Sequence, residues 1–156
     1  MADLPPCGLY RTGAALGAHV PAGRLVYFHN HGDPGPGVYL PDGWTANRAR
    51  WQEQGHTIPS PAWAASLEPL PAEGFYRVRE RFACCARQCR TFEPELLVQL
   101  GYDGEAHPIV FVPEWTAHGL GLPETGTRVD QAQLSRLAPL TVAAADDDVP
   151  PDALPS

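Results

Sequence analysis

The sequence predicts a mainly β fold, β-rich with a little helix, arranged as two small tandem units that each hold a central hairpin and one short helix. Three observations carry that prediction. The 18 prolines and 15 glycines break the chain into short elements separated by turns. Runs such as Leu25–His29 (LVYFH) and Ile109–Val112 (IVFV) are rich in β-branched and aromatic residues. The chain is also written twice.

Leu25–Asp42 (LVYFHNHGDPGPGVYLPD) aligns without a gap on Leu97–Glu114 (LVQLGYDGEAHPIVFVPE) at an offset of 72. Leu25/Leu97, Val26/Val98, Gly32/Gly104, Pro36/Pro108, Val38/Val110 and Pro41/Pro113 are identical. Upstream, GLYR at Gly8–Arg11 mirrors GFYR at Gly74–Arg77. Downstream, Gly55–Leu70 mirrors Gly126–Leu140 with one residue deleted. Biased Ala/Gly/Pro composition does not place Val, Leu and Tyr in register, so a tandem duplication is the expected origin.

Each unit reads in the same order. GLYR and GFYR are opening strands. RLVYFHN and ELLVQLG follow, and Gly/Pro loops return the chain through GVYLP and PIVFVP as hairpins. A short helix comes next: Ser60 caps the first with Pro61 at its first position, where a missing N–H costs nothing. Asp130 caps the second, ahead of QAQLSRLA. Pro69 and Pro139 are expected to stop the two helices, and a last strand or edge completes each unit. The expected units are residues 1–72 and 73–142, each marginal alone and therefore packed together with pseudo-twofold symmetry. Ala143–Ser156 (AAADDDVPPDALPS) reads as a disordered acidic tail.

The order of strand, long loop, hairpin, helical turn and final strand is similar to that of SH3-type small barrels. Gly55–Trp63 (GHTIPSPAW) resembles the Gly-x-x-Ile-Pro-Ser run near the end of such domains. The second unit lacks that run, and the resemblance implies SH3-like or barrel-like units without implying an activity.

Composition narrows the function. All 11 basic residues are arginine, which with the Ala/Pro/Gly excess reads as a GC-rich, bacterial coding sequence. The net charge of -7 opposes nonspecific nucleic-acid binding, which needs phosphate neutralisation, and suits a basic protein partner. The start, MADLPPCG, has neither a basic nor an apolar run, and no segment approaches the ~20 apolar residues of a membrane helix. A cytoplasmic protein with reduced cysteines is expected.

Strand alternation puts Val26 and Phe28 on a core face, with Val98 and Leu100 as counterparts. Leu25, Tyr27, His29 and His31 take the other face, matched by Leu97, Gln99, Gly101 and Asp103. Beyond its first residue the second set is polar or small, so this face is expected to meet solvent or a partner. GRLVYFHNH resembles the Gly-x5-His-x-His opening of the cupin metal motif, yet the glutamate of that motif is missing and Asp33 is the nearest carboxylate. His29 and His31 read as surface histidines at a loop mouth, beside Tyr27. Trp44 and Trp51 lie in the polar stretch DGWTANRARWQEQG and are the expected binding aromatics, whereas Trp63 sits on the helix as core.

The remaining chemistry is sulfur. Tyr10 to Val26 spans 16 positions and Tyr76 to Val98 spans 22, so the second unit carries six extra residues where Cys84, Cys85 and Cys89 stand. With Cys7 they offer an all-cysteine zinc set, or one in which a histidine replaces a cysteine, against small buried thiols as the plainer reading. Arg79, Arg81, Arg87 and Arg90 are expected to depress the thiol pKa values. No phosphate loop, nucleophile elbow or paired-carboxylate motif is present. The expected function is therefore a non-enzymatic protein-interaction or assembly module, such as an adaptor or acidic inhibitor. The other class is a zinc protein with redox or hydrolytic activity at the cysteine loop or at His29/His31.

Overall fold

The computed structural model describes residues 4–32 and 35–143, so Asp33 and nearly all of the expected acidic tail lie outside the described residues. The first half begins with β1 (Gly8–Arg11), β2 (Leu25–His29) and β3 (Gly37–Tyr39). A hairpin of β4 (Pro41–Thr45) and β5 (Arg48–Trp51) projects next, and β6 (His56–Thr57), helix α1 (Pro61–Ala65) and β7 (Glu68–Pro69) finish it. The second half runs through β8 (Gly74–Val78), an added hairpin of β9 (Phe82–Ala83) and β10 (Thr91–Phe92), β11 (Leu97–Tyr102) and β12 (Pro108–Phe111). A hairpin of β13 (Glu114–Thr116) and β14 (Gly119–Gly121), then β15 (Thr127–Arg128), a 3-10 helix at Gln131–Arg136 and β16 (Leu137–Pro139) complete the fold. The fold is mainly β, in several small antiparallel sheets.

The two larger sheets have five strands each, in the orders β6-β3-β2-β1-β7 and β15-β12-β11-β8-β16. Their registers run in parallel. Tyr10 faces Val26 as Tyr76 faces Val98, and Phe28 faces Val38 as Leu100 faces Val110. The closing strands behave alike, with Pro69 opposite Tyr10 and Pro139 opposite Tyr76. Each of these tyrosines donates its hydroxyl four residues back, Tyr10 to the Pro6 carbonyl at 2.7 Å and Tyr76 to the Ala72 carbonyl at 2.6 Å.

The two helical turns differ in detail. Ser60 caps α1 through its side chain, which accepts the Trp63 N–H at 3.2 Å, and Pro61 starts the helix. Trp63 is buried and its indole donates to the Ala15 carbonyl at 3.1 Å. Asp130 holds the N-cap position of the second turn but its side chain bonds no helix N–H, and that turn winds as a 3-10 helix. Pro69 and Pro139 do not terminate the helices, which end earlier. They lie in the edge strands β7 and β16, where a missing N–H disturbs no ladder.

The core faces follow strand alternation. Val26, Phe28 and Val38 pack with Tyr10, Trp63 and Leu67 in one cluster. Val98, Leu100 and Val110 pack with Tyr76, Val78 and Phe92 in the other. Each such aliphatic or aromatic side chain contributes about 1.5–3 kcal/mol on burial. The opposite face departs from expectation. Leu25 is fully buried and belongs to the second half's cluster, with Leu70. Gln99 and Gly101, expected to face solvent or a partner, are buried as well. The reason is that the β4–β5 hairpin lies across β11, so the partner of that face is the chain's own first half.

Candidate functional site

Two features of the fold carry potential chemistry or binding: the pair of hairpins, and two clusters of sulfur and imidazole donors. The β4–β5 hairpin turns through Ala46 and Asn47, both at positive φ (51° and 67°). Its tip is bound to the second sheet. The Trp44 indole N–H donates to the Tyr102 carbonyl at 2.9 Å, and Asn47 Nδ2 donates to Gln99 Oε1 at 3.0 Å and the Pro123 carbonyl at 2.8 Å. Gln99 Nε2 returns a bond to the Ala46 carbonyl at 2.8 Å, and the Ala49 N–H donates to Glu73 Oε2 at 2.9 Å. Trp51, at the hairpin base, is half-buried and packs beside Tyr27 at 5.9 Å between ring centroids. Trp44 and Trp51, the expected binding aromatics, thus both make contacts within the chain, with Trp44 still 41% exposed.

The β13–β14 hairpin occupies the same place in the second half, and among the described residues no comparable hydrogen bonds join its tip to another sheet. Trp115 is 84% exposed, against 41% for Trp44, and Leu120 and Leu122 are exposed beside it. Within the hairpins Trp44 pairs with Ala49, and Trp115 pairs with Leu120. The sequence holds a signal that the ungapped offset hides. Trp44–Asn47 (WTAN) and Trp115–His118 (WTAH) align once one residue is removed at the bulge between Pro41 and Gly43.

The first donor cluster joins β1 to the end of β2. Gly8 faces Phe28, so Cys7 falls across from His29, and His31 follows on the same strand side. The Cys7 thiol and one nitrogen of each imidazole lie within 4.8 Å of one another. The rings of His29 and His31 are 4.0 Å apart between centroids. Asn30 organises the group: its N–H donates to Cys7 Sγ at 3.4 Å, its Oδ1 accepts from Cys7 Sγ at 3.2 Å, and its Nδ2 donates to the Pro5 carbonyl at 3.2 Å. His31 Nδ1 lies 2.8 Å from the same Oδ1. The cluster is half-buried at Cys7 and His29 and exposed at His31.

The second cluster is Cys84, Cys85 and Cys89, in the loop joining β9 to β10. Cys84 is buried, Cys85 half-buried and Cys89 exposed, with Cys84 Sγ 3.5 Å and Cys89 Sγ 3.9 Å from Cys85 Sγ. Both clusters could hold a metal ion. The expected four-cysteine set is not assembled, because Cys7 stands with His29 and His31 rather than with the loop thiols.

Cys85 is the acidic thiol, lowered to about 7 by the Cys89 N–H, the Cys84 thiol and the Arg87 N–H. Cys89 is pushed up, chiefly by the hydrogen bond and charge of Cys85. Arginine side chains, expected to lower the thiols, do not feature among these causes. Arg81 pairs with Glu93 at 3.1 Å, and Arg90 lies over the Phe92 ring and bonds Thr127. In metal-free, reduced protein, alkylation of Cys85 is expected to rise through a midpoint near pH 7 and level off above it. Cys89 labelling should still be climbing there. Peptide mass spectrometry after timed iodoacetamide pulses reads both, and a Cys85 midpoint no lower than that of Cys89 would contradict the geometry.

No protein-family model, curated protein or solved structure matches the chain. Among the described residues, no helix is long and apolar enough to cross a membrane.

Proposed function

We propose that the protein is a non-enzymatic interaction or assembly module, made of two duplicated SH3-like β units, that binds another protein through its β13–β14 hairpin. The single observation that carries this reading is the contrast between the two hairpins. One hydrogen-bonds its Trp-Thr-Ala-Asn tip to a neighbouring sheet through Trp44, Ala46 and Asn47, while the other leaves Trp115, Leu120 and Leu122 more exposed. Large aromatic side chains flanked by aliphatics are the residues most often responsible for binding energy. Glu114 and Glu124 flank the patch, and with the net charge of -7 they favour a partner with a basic rim.

The duplicated origin is supported by the shared strand order, the matching registers and the paired tyrosine hydroxyl bonds. The SH3-like description is supported by the route of each half. Three strands run as a meander, a fourth joins the far edge, and after a helical turn the last strand returns to pair with the first.

Trp115→Ala combined with Leu120→Ser is expected to leave unfolding free energy within about 0.5 kcal/mol of the wild type, since both side chains are exposed. Partner affinity should fall at least about tenfold. The check is affinity capture from the native host with wild-type and double-variant bait, followed by titration of what the wild type retains. A partner held equally by both baits would refute the hairpin as the contact.

A further inference from the structure

We propose that Cys7, His29 and His31 form a zinc(II) site with three protein ligands and one exchangeable position. The three donors come from two hydrogen-bonded strands, so the fold brings them together without help from an ion. A thiolate with two imidazoles is a donor set that suits zinc's borderline softness and its indifference to geometry. Tetrahedral coordination at ordinary bond lengths separates neighbouring donors by roughly 3.5 Å, so a spread within 4.8 Å closes by modest side-chain rotation. The Asn30 backbone N–H donates to Cys7 Sγ, a bond that a thiolate keeps, and Asn30 Oδ1 can accept from His31 Nδ1; this is the kind of outer hydrogen bonding that fixes ligand orientation in metal sites.

The second half explains why the fourth position is open. Glu73, Gly101 and Asp103 hold the places corresponding to Cys7, His29 and His31. There, Glu73 accepts the hairpin's Ala49 N–H, and the Asn47 carbonyl crowds the missing side chain of Gly101. In the first half Cys7 and His29 are only half-buried, and His31 is exposed. Among the described residues His31 leaves that side open, where water or an incoming imidazole or thiolate can bind.

The test uses the full chain with Cys84→Ser, Cys85→Ser and Cys89→Ser, so that the loop thiols take no part. After stripping with chelator under reducing conditions, it is titrated with zinc and, separately, with cobalt(II). One equivalent of either metal should bind, and the cobalt form should show a thiolate charge-transfer band with tetrahedral visible bands. Added imidazole should shift those bands. Cys7→Ser should abolish the charge-transfer band, and His31→Ala, at the exposed ligand, should weaken binding without unfolding the protein. Asn30→Ala should lower affinity by about tenfold to a hundredfold. No metal uptake by the triple-serine protein, or uptake indifferent to Cys7→Ser and His31→Ala, overturns the site. Cobalt bands unmoved by imidazole overturn the open position. Partner capture through Trp115 is a separate measurement, so either proposal can fail without the other.

Discussion

Gly101→Val is expected to destabilise the protein by about 3 kcal/mol, the upper end of what overpacking a closed contact costs. A Cβ at this position would lie 2.8 Å from the Asn47 carbonyl oxygen and 3.3 Å from the Phe111 ring. The first neighbour is backbone at the tip of the β4–β5 hairpin and cannot rotate away. Relief requires the whole tip to lift, which breaks the Asn47–Gln99, Gln99–Ala46 and Trp44–Tyr102 hydrogen bonds together. Gln99 is buried, so its amide would lose partners without gaining water unless the joint opens. Urea unfolding followed by tryptophan emission reads both consequences. The midpoint should fall, and emission from the folded state should shift to the red as the Trp44 indole leaves the Tyr102 carbonyl. A variant with wild-type midpoint and emission would show that the hairpin does not sit on β11. The matching position in the first half is His29, which is only half-buried and already carries a side chain, so His29→Val should cost far less in the same assay.

That asymmetry shows where sequence reasoning succeeds and where it stops. Alternation on β2 and β11 places Val26, Phe28, Val98 and Leu100 inside, because period-two burial is local to a strand. The Ser60 cap and its proline are legible for the same reason, being set by four consecutive residues. The joint is not legible in that way. Whether Gln99 and Gly101 meet water or backbone depends on Asn47, more than 50 residues earlier, and no local pattern encodes that approach. The glycine opposite a histidine at matched positions is a clue, but it becomes readable only once the hairpin is known to dock.

The candidate site divides along the same line. The strand pairing of Gly8 with Phe28 follows from aligning GLYR with LVYFH, and one further step along the ladder sets Cys7 across from His29. Spacing alone instead groups Cys7 with the loop cysteines, since both are thiols. The acidity of Cys85 was beyond reach, because it comes from backbone N–H groups and a neighbouring thiol rather than from the nearby arginines. Trp115 was visible as a residue, yet its exposure emerges only from comparing a docked hairpin with an undocked one.

Glu73 should make the joint sensitive to pH, and two substitutions separate its roles. The carboxylate is 7% exposed and accepts the Ala49 N–H at 2.9 Å. Burial raises its pKa above the ordinary 4.5, against the lowering effects of the Ala49 N–H and the Arg48 charge. The folded protein therefore holds this proton more tightly than the unfolded chain does. The resulting stabilisation is fully present below the unfolded value and is lost as pH rises through the raised folded value. Glu73→Gln keeps an acceptor for Ala49 and removes the titration, so its stability should not decline over that window as the wild type's does. Above the window it should equal or exceed the wild type. Glu73→Ala removes the acceptor and leaves a partly buried N–H unpaired, a loss of about 1 kcal/mol at every pH. Urea unfolding at intervals from about pH 4 to pH 8 distinguishes the three proteins. Parallel pH curves for the wild type and Glu73→Gln would mean that this carboxylate does not titrate abnormally. A stable Glu73→Ala would mean that the hairpin is held by its tip alone.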